Sequence, residues 1–135
     1  MKEMNLEAKL ENIPAVTDFI EGELMKVGCP MKTQMQMDVA IDEVFTNIAS
    51  YAYGDQKGSA VVRFDFDEQT RVASVTFVDT GMPFNPLESA EPDITLSADE
   101  RPIGGLGIFL VKKTMDEVIY SREDDRNVLT LRKKI

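Results

Sequence analysis

The chain has 135 residues, of which 43% are apolar and 29% charged, a balance that fits a folded domain and excludes a disordered chain. It carries 15 basic and 24 acidic residues, a net charge of −9, which opposes direct binding to nucleic acid and to anionic membrane surfaces. Histidine is absent and Cys29 is the single cysteine. That excludes histidine-based triads, phosphorylation of a histidine within the chain, His- or Cys-built zinc sites and an internal disulfide.

The opening stretch MKEMNLEAKLEN is charged throughout and lacks the apolar core of a signal peptide. No run of apolar residues is long enough to span a bilayer. The expected address is the cytoplasm, and the expected organisation is a single domain over residues 1–135. Residues 4–10 alternate, with Met4, Leu6, Ala8 and Leu10 on one side, which predicts a strand with one wet face. Asn12 is a candidate helix cap, and Pro14 suits a first turn. Val16, Phe19, Ile20, Leu24 and Val27 follow at helical spacing until Gly28 and Pro30 stop the helix. A second helix is expected from about Lys32 to Ala52, with Met37, Ile41, Val44, Phe45, Ile48 and Ala52 in one apolar stripe. The Met31, Met35 and Met37 run reads as helix packing, and Cys29 as a small buried residue.

Two strands follow, one around Val62, Phe64 and Phe66 and one from Val72 to Val78, joined by DEQT as a hairpin. Residues 79–104 hold four prolines and many acids, which predicts a long functional loop. A third helix begins near Gly105, with Leu106, Phe109, Leu110 and Lys113 on its turns. A closing hairpin pairs Val118–Ser121 with Val128–Leu131. The order predicts an α+β, two-layer sandwich, with helices on one face of a mixed, mostly antiparallel sheet.

Chemistry concentrates in three segments. Glu43 and Asn47, four residues apart, share a helical face with Gln36, Ala40 and Ser50. A carboxylate beside a carboxamide can take a proton while the amide oxygen holds a metal; the same pair also occurs as a solvated surface feature. In FVDTGMPF (77–84) a strand ends at Asp79, on the parity of Ala73, Val75 and Phe77. A carboxylate there can accept from an exocyclic amino group such as that of adenine. Gly81 permits close approach of a planar ligand, though an ordinary Asp–Gly turn has the same residues. In RPIGGLGIFLVKK (101–113), Gly104, Gly105 and Gly107 lie where a helix begins. Unpaired amides at a helix start attract an anion; a hinge into the helix is the plainer alternative. The segment lacks the Lys–Ser/Thr of a Walker loop.

In this order, MDVAIDEVFTNIASYAYGD (37–55), FVDTGMPFNP (77–86) and IGGLGIFLVKKTMDEVIYSRE (103–123) resemble the N, G1 and G2 boxes of the histidine-kinase-like ATPase superfamily. Among its members the chain is most similar to the anti-sigma factor serine/threonine kinases. The resemblance covers nearly the whole chain and implies the Bergerat-type ATPase fold. It also implies an ATP- and Mg²⁺-dependent serine/threonine protein kinase. By that resemblance Glu43 is the general base and Asn47 the Mg²⁺ ligand. Asp79 holds the adenine amino group, Gly81 shapes the base pocket, and Gly104, Gly105, Leu106 and Gly107 face the phosphates. Residues 86–104 form an ATP lid, from which Arg101 reaches a phosphate. The implied partners are an anti-anti-sigma factor protein as substrate and a sigma factor held inactive, and kinship suggests a homodimer. Two positions depart from relatives: Tyr51 stands where many have histidine, and Asn127 where a threonine holds adenine through water. The alternatives are a non-catalytic anti-sigma module that uses ATP as a structural ligand, and a detached histidine-kinase ATPase domain.

Overall fold

The computed structural model describes residues 1–54, 56–88 and 105–135. Five strands form one sheet: β1 (Lys2–Glu7), β2 (Ser59–Asp67), β3 (Val72–Asp79), β4 (Glu117–Glu123) and β5 (Arg126–Lys134). Their spatial order is β1-β2-β3-β5-β4, and all four neighbouring pairs are antiparallel. Three helices, α1 (Ile13–Lys26), α2 (Met31–Asn47) and α3 (Gly105–Thr114), supply the other layer.

Period-two alternation sets the sheet's two faces. Val62 and Phe64 of β2, Ala73, Val75 and Phe77 of β3, and Leu129 and Leu131 of β5 are buried. They meet Val16, Ile20 and Leu24 of α1 and Met37, Ile41, Val44 and Phe45 of α2 in one core. Each hairpin closes by local chemistry. The Asp67 carboxylate accepts from the amides of Gln69 (2.9 Å) and Thr70 (3.3 Å) in the β2–β3 turn. Asp124 and Asp125 both take positive φ, 50° and 62°, in the β4–β5 turn. That is the two-residue geometry matched to strand twist, and Asp tolerates it well.

Helix α1 ends as its glycine requires. Gly28 sits at φ 73°, with its amide on Met25 O and that of Cys29 on Leu24 O, the paired bonds of a left-handed helix stop. At the start of α1, Asn12 does not cap. Residues Leu10–Asn12 form a 3-10 turn, and the Asn12 side-chain Nδ2 donates instead to Glu7 O at 2.8 Å. Pro14 lies in the first turn of α1.

Several sequence expectations are corrected. The first strand stops at Glu7, and Leu10 is exposed in the 3-10 turn. Of the three methionines, only Met37 is buried; Met31 and Met35 face solvent. Cys29 is half-buried. The regular α-helix ends at Asn47, and Ile48–Ala52 form a π turn. That wider turn takes Ser50 out of the 3.6-residue register that placed it beside Glu43. Ala40 belongs to the core rather than to an open face. The sequence left the inward face of α3 open; among its described side chains Ile108 and Val111 are buried, followed by Met115, and Leu110 is exposed. Phe109 carries the Lys113 ammonium over its ring at 5.3 Å. The anticipated lid contributes a short 3-10 turn, Pro86–Glu88; its remainder, residues 89–104, lies outside the described residues.

Candidate functional site

The end of β3, the π turn and the β4–β5 hairpin meet around a narrow slot. Val44, Asn47, Ile48, Ala52, Phe77, Asp79, Phe84, Pro86, Tyr120, Asn127 and Leu129 line it, and its cavity is about 30 Å³ and opens to solvent. Its walls are mostly apolar and its polar groups few, the pattern of a small-ligand site. A π turn is a frequent device at such places because it re-aims the side chains that follow. Here Tyr51 lies against Phe84, ring centroids 5.5 Å apart.

Asp79 is the buried acid of the slot, 4% exposed. Antiparallel register sets it directly opposite Asn127, so both side chains stand on the helix-facing side of the sheet. Asp79 Oδ1 accepts from the Gly81 amide (2.9 Å) and from Asn127 Nδ2 (2.9 Å). Asp79 Oδ2 accepts no hydrogen bond among the described residues. The turn after Asp79 is braced on every side. Tyr53 Oη accepts from the Thr80 amide at 2.9 Å and donates to Ser59 O at 2.5 Å. Arg122 donates to Gly81 O at 2.8 Å. The Met82 amide donates to Ala52 O at 2.8 Å. A Cβ at Gly81 would collide with that same Ala52 carbonyl, which explains why only glycine fits.

Glu43 lies on α2 one turn before Asn47. A Cβ at Gly107 would collide with the Glu43 carboxylate, so the first turn of α3 rests directly on that acid. Burial, then the neighbouring Asp42 charge, pushes the Glu43 carboxyl above the usual range. Such a group is a stronger proton acceptor than an exposed glutamate. Gly105, Leu106 and Gly107 open α3, while Gly104 and Arg101 lie outside the described residues.

The structure therefore brings Glu43 to Gly107, and Asn47, Asp79 and Asn127 to one slot with Gly81 at its turn. Tyr53, Tyr120 and Arg122 also organise the site, and sequence reasoning missed them. Their spacing carries no motif, because long-range pairing alone brings them to Asp79. A second perturbed acid stands apart, where α2 faces α1. Asp38 is pushed up to about 7 by burial, then by a hydrogen bond with Glu21 and by Glu21's charge. Its Oδ1 is buried without a partner among the described residues.

Among the described residues, no cluster of three or more His, Cys, Asp or Glu residues can hold a metal. A cation here would need oxygens from elsewhere. One neutral carboxamide oxygen, that of Asn47, suits Mg²⁺, which keeps several waters and is commonly shared with phosphates. Among the described residues, no helix is long and apolar enough to cross a membrane.

The model of the histidine kinase-like ATPase domain family matches residues 6–133. The chain belongs to that family, and its slot, its paired Asp79 and Asn127 and its glycine-opened α3 lie within the matched span. It is similar to the serine-protein kinase RsbW of Bacillus mycoides, 28% identical over 131 residues, covering 94% of this chain and 81% of that one. The serine-protein kinase RsbW of Bacillus cereus strain AH820 is 27% identical over 129 residues, with the same coverage. The blue-light activated histidine kinase of Erythrobacter litoralis EL346 shares the fold, with a TM-score of 0.58 at 18% identity over 77% of this chain and 31% of that one.

Proposed function

We propose that this protein is an ATP-binding anti-sigma factor with serine/threonine protein kinase activity. The observation that carries the reading is the arrangement of two acids. Asp79 heads an apolar slot with one carboxylate oxygen uncommitted among the described residues, and Glu43 lies against the glycine-opened start of α3. A planar base between apolar walls, a carboxylate for its amino group and helix-start amides for its phosphates make a consistent set. The names of the relatives support a serine kinase.

In this reading Asp79 accepts from the adenine amino group while Ile48, Phe77 and Leu129 exclude water from the ring faces. Gly105, Leu106 and Gly107 turn backbone amides toward negative charge, with Gly104 and Arg101 assigned to the same anion. Asn47 offers its carboxamide oxygen to the metal. Bound Mg²⁺-ATP supplies the phosphoryl group and the neutralising charge. Glu43 receives, at its carboxylate, the proton of the attacking serine or threonine hydroxyl. Phosphoryl transfer needs little more from a protein than such positioning. The protein substrate is an anti-anti-sigma factor, and a sigma factor is the second partner. The chain acts as one ATPase unit with residues 86–104 as its lid.

The test is a thermal-shift titration with ATP and Mg²⁺ on the wild type and Asp79→Asn, followed by label transfer from ATP to the partner. At 100 times Kd a ligand of the folded state stabilises it by about 2.7 kcal/mol. The wild type is expected to shift and the variant not. No shift at millimolar ATP removes the reading. Nucleotide-dependent partner binding without label transfer would instead leave the non-catalytic module.

A further inference from the structure

Exposed apolar side chains scattered singly are ordinary on a folded surface, but on the helix layer they gather. Of the ten large apolar side chains exposed among the described residues, Met31, Met35, Val39 and Leu110 line one groove of about 560 Å³. Met31, Met35 and Val39 repeat every four residues along α2 and so form one stripe. Leu110 and Thr114 form the facing wall. Lys32 is the one charged side chain lining the groove. A gathered apolar surface of this kind marks a place where another molecule binds, and methionines adapt to the shape of what they meet.

The direction of the groove selects its occupant, because both walls lead to the same acid. Glu43 lies one turn beyond Val39 on α2. Gly107, which rests on the Glu43 carboxylate, lies one turn before Leu110 on α3. At a rise of about 1.5 Å per residue, the stripe on α2 runs from about 6 to about 18 Å from Glu43. A second copy of this chain seated there would stand over the base, and a sigma factor brings no hydroxyl to it. A protein that must deliver a hydroxyl to Glu43 uses both the groove and its end. We propose that the α2–α3 groove docks the protein substrate. Apolar side chains of that substrate, within the same span of its reacting serine or threonine, seat on Met31, Met35, Val39 and Leu110 and bring the hydroxyl to Glu43. The groove changes no bond; its contacts are the same before and during transfer, so they serve binding rather than rate. This inference rests on the kinase reading above and adds where such a kinase holds its substrate.

The experiment follows label transfer from ATP to the anti-anti-sigma protein, with the full chain and Mg²⁺, while the concentration of the protein substrate is varied. It compares the wild type with Met35→Gln and Leu110→Gln, one from each wall and both exposed. Each variant should raise KM for the protein substrate about 10-fold, the scale of losing one apolar anchor at an interface. kcat at saturating substrate and Kd for ATP should keep their wild-type values, the split expected when only ground-state binding is lost. Met25→Gln, exposed on α1 outside the groove, should leave KM unchanged. Met35→Gln carries the test if Leu110→Gln fails to fold. A wild-type KM in the groove variants overturns the inference while the kinase reading stands. A wild-type KM together with lost sigma-factor binding, or with a changed oligomeric state in sedimentation, overturns it and gives the groove to that other occupant. A wild type that transfers no label overturns the kinase reading and the inference together.

Discussion

Replacing Gly107 with alanine separates the stability of α3 from the placement of Glu43. The added methyl would occupy space now held by the Glu43 carboxylate. That obstacle is the far end of a flexible side chain, so the acid is displaced and the helix stays. Overpacking costs about 1–3 kcal/mol, and alanine returns about 1 kcal/mol of helix propensity over glycine. The net loss is about 0–2 kcal/mol, or a fall in Tm of about 0–8 °C for a chain of this size. Phosphotransfer should suffer far more, because a shift of about 1 Å in a reacting group costs about 10²-fold. The assay is initial-rate label transfer to the partner at saturating ATP, with Tm measured on the same samples. A double-mutant cycle with Glu43→Gln isolates the cause. If Gly107→Ala acts by moving the base, it should be nearly silent where the base is already gone. An equal fold-loss in both backgrounds, or a wild-type rate in Gly107→Ala, would refute this reasoning.

Two other substitutions follow from the same acids. Glu43→Gln keeps the shape of the side chain and should leave ATP binding intact while cutting transfer by about 10²–10⁴-fold, as expected on loss of a general base; nucleotide titration and label transfer on one preparation check it. Asp38, raised to about 7 by burial and by Glu21, should make stability fall as pH climbs from about 4 to 7. In that window the folded state holds a proton that the unfolded state has released. Asp38→Asn should flatten this slope and stabilise the protein at pH 8 on the order of 1 kcal/mol, once solvent screening is allowed for, as urea melts at pH 5 and 8 would report. A steeper slope in the variant would assign the pH dependence to other groups.

Much of the architecture was legible because it is periodic. The stripe Met37, Ile41, Val44, Phe45 and Ile48 is buried in full, and the β2–β3 hairpin carries its turn chemistry in its own residues. Local bonding decides such features, so local spacing reports them. The same spacing left the inward face of α3 open, because Phe109 and Leu110 look as apolar as Ile108 and Val111. Which apolar stripe of a short helix turns inward depends on what it packs against. The π turn after Asn47 left no mark in the composition either, since its residues suit an ordinary helix.

The sequence alone determined the order of elements, the acids and amides available for chemistry, and the absence of histidine. These follow from covalent order and short-range preference. Only the tertiary structure decided that Asp79 would face Asn127 across two strands, that the Tyr120 hydroxyl would meet that amide, and that Gly107 would rest on Glu43. Those contacts join residues far apart in the chain. Their geometry comes from sheet register and helix packing, which no short window of residues contains.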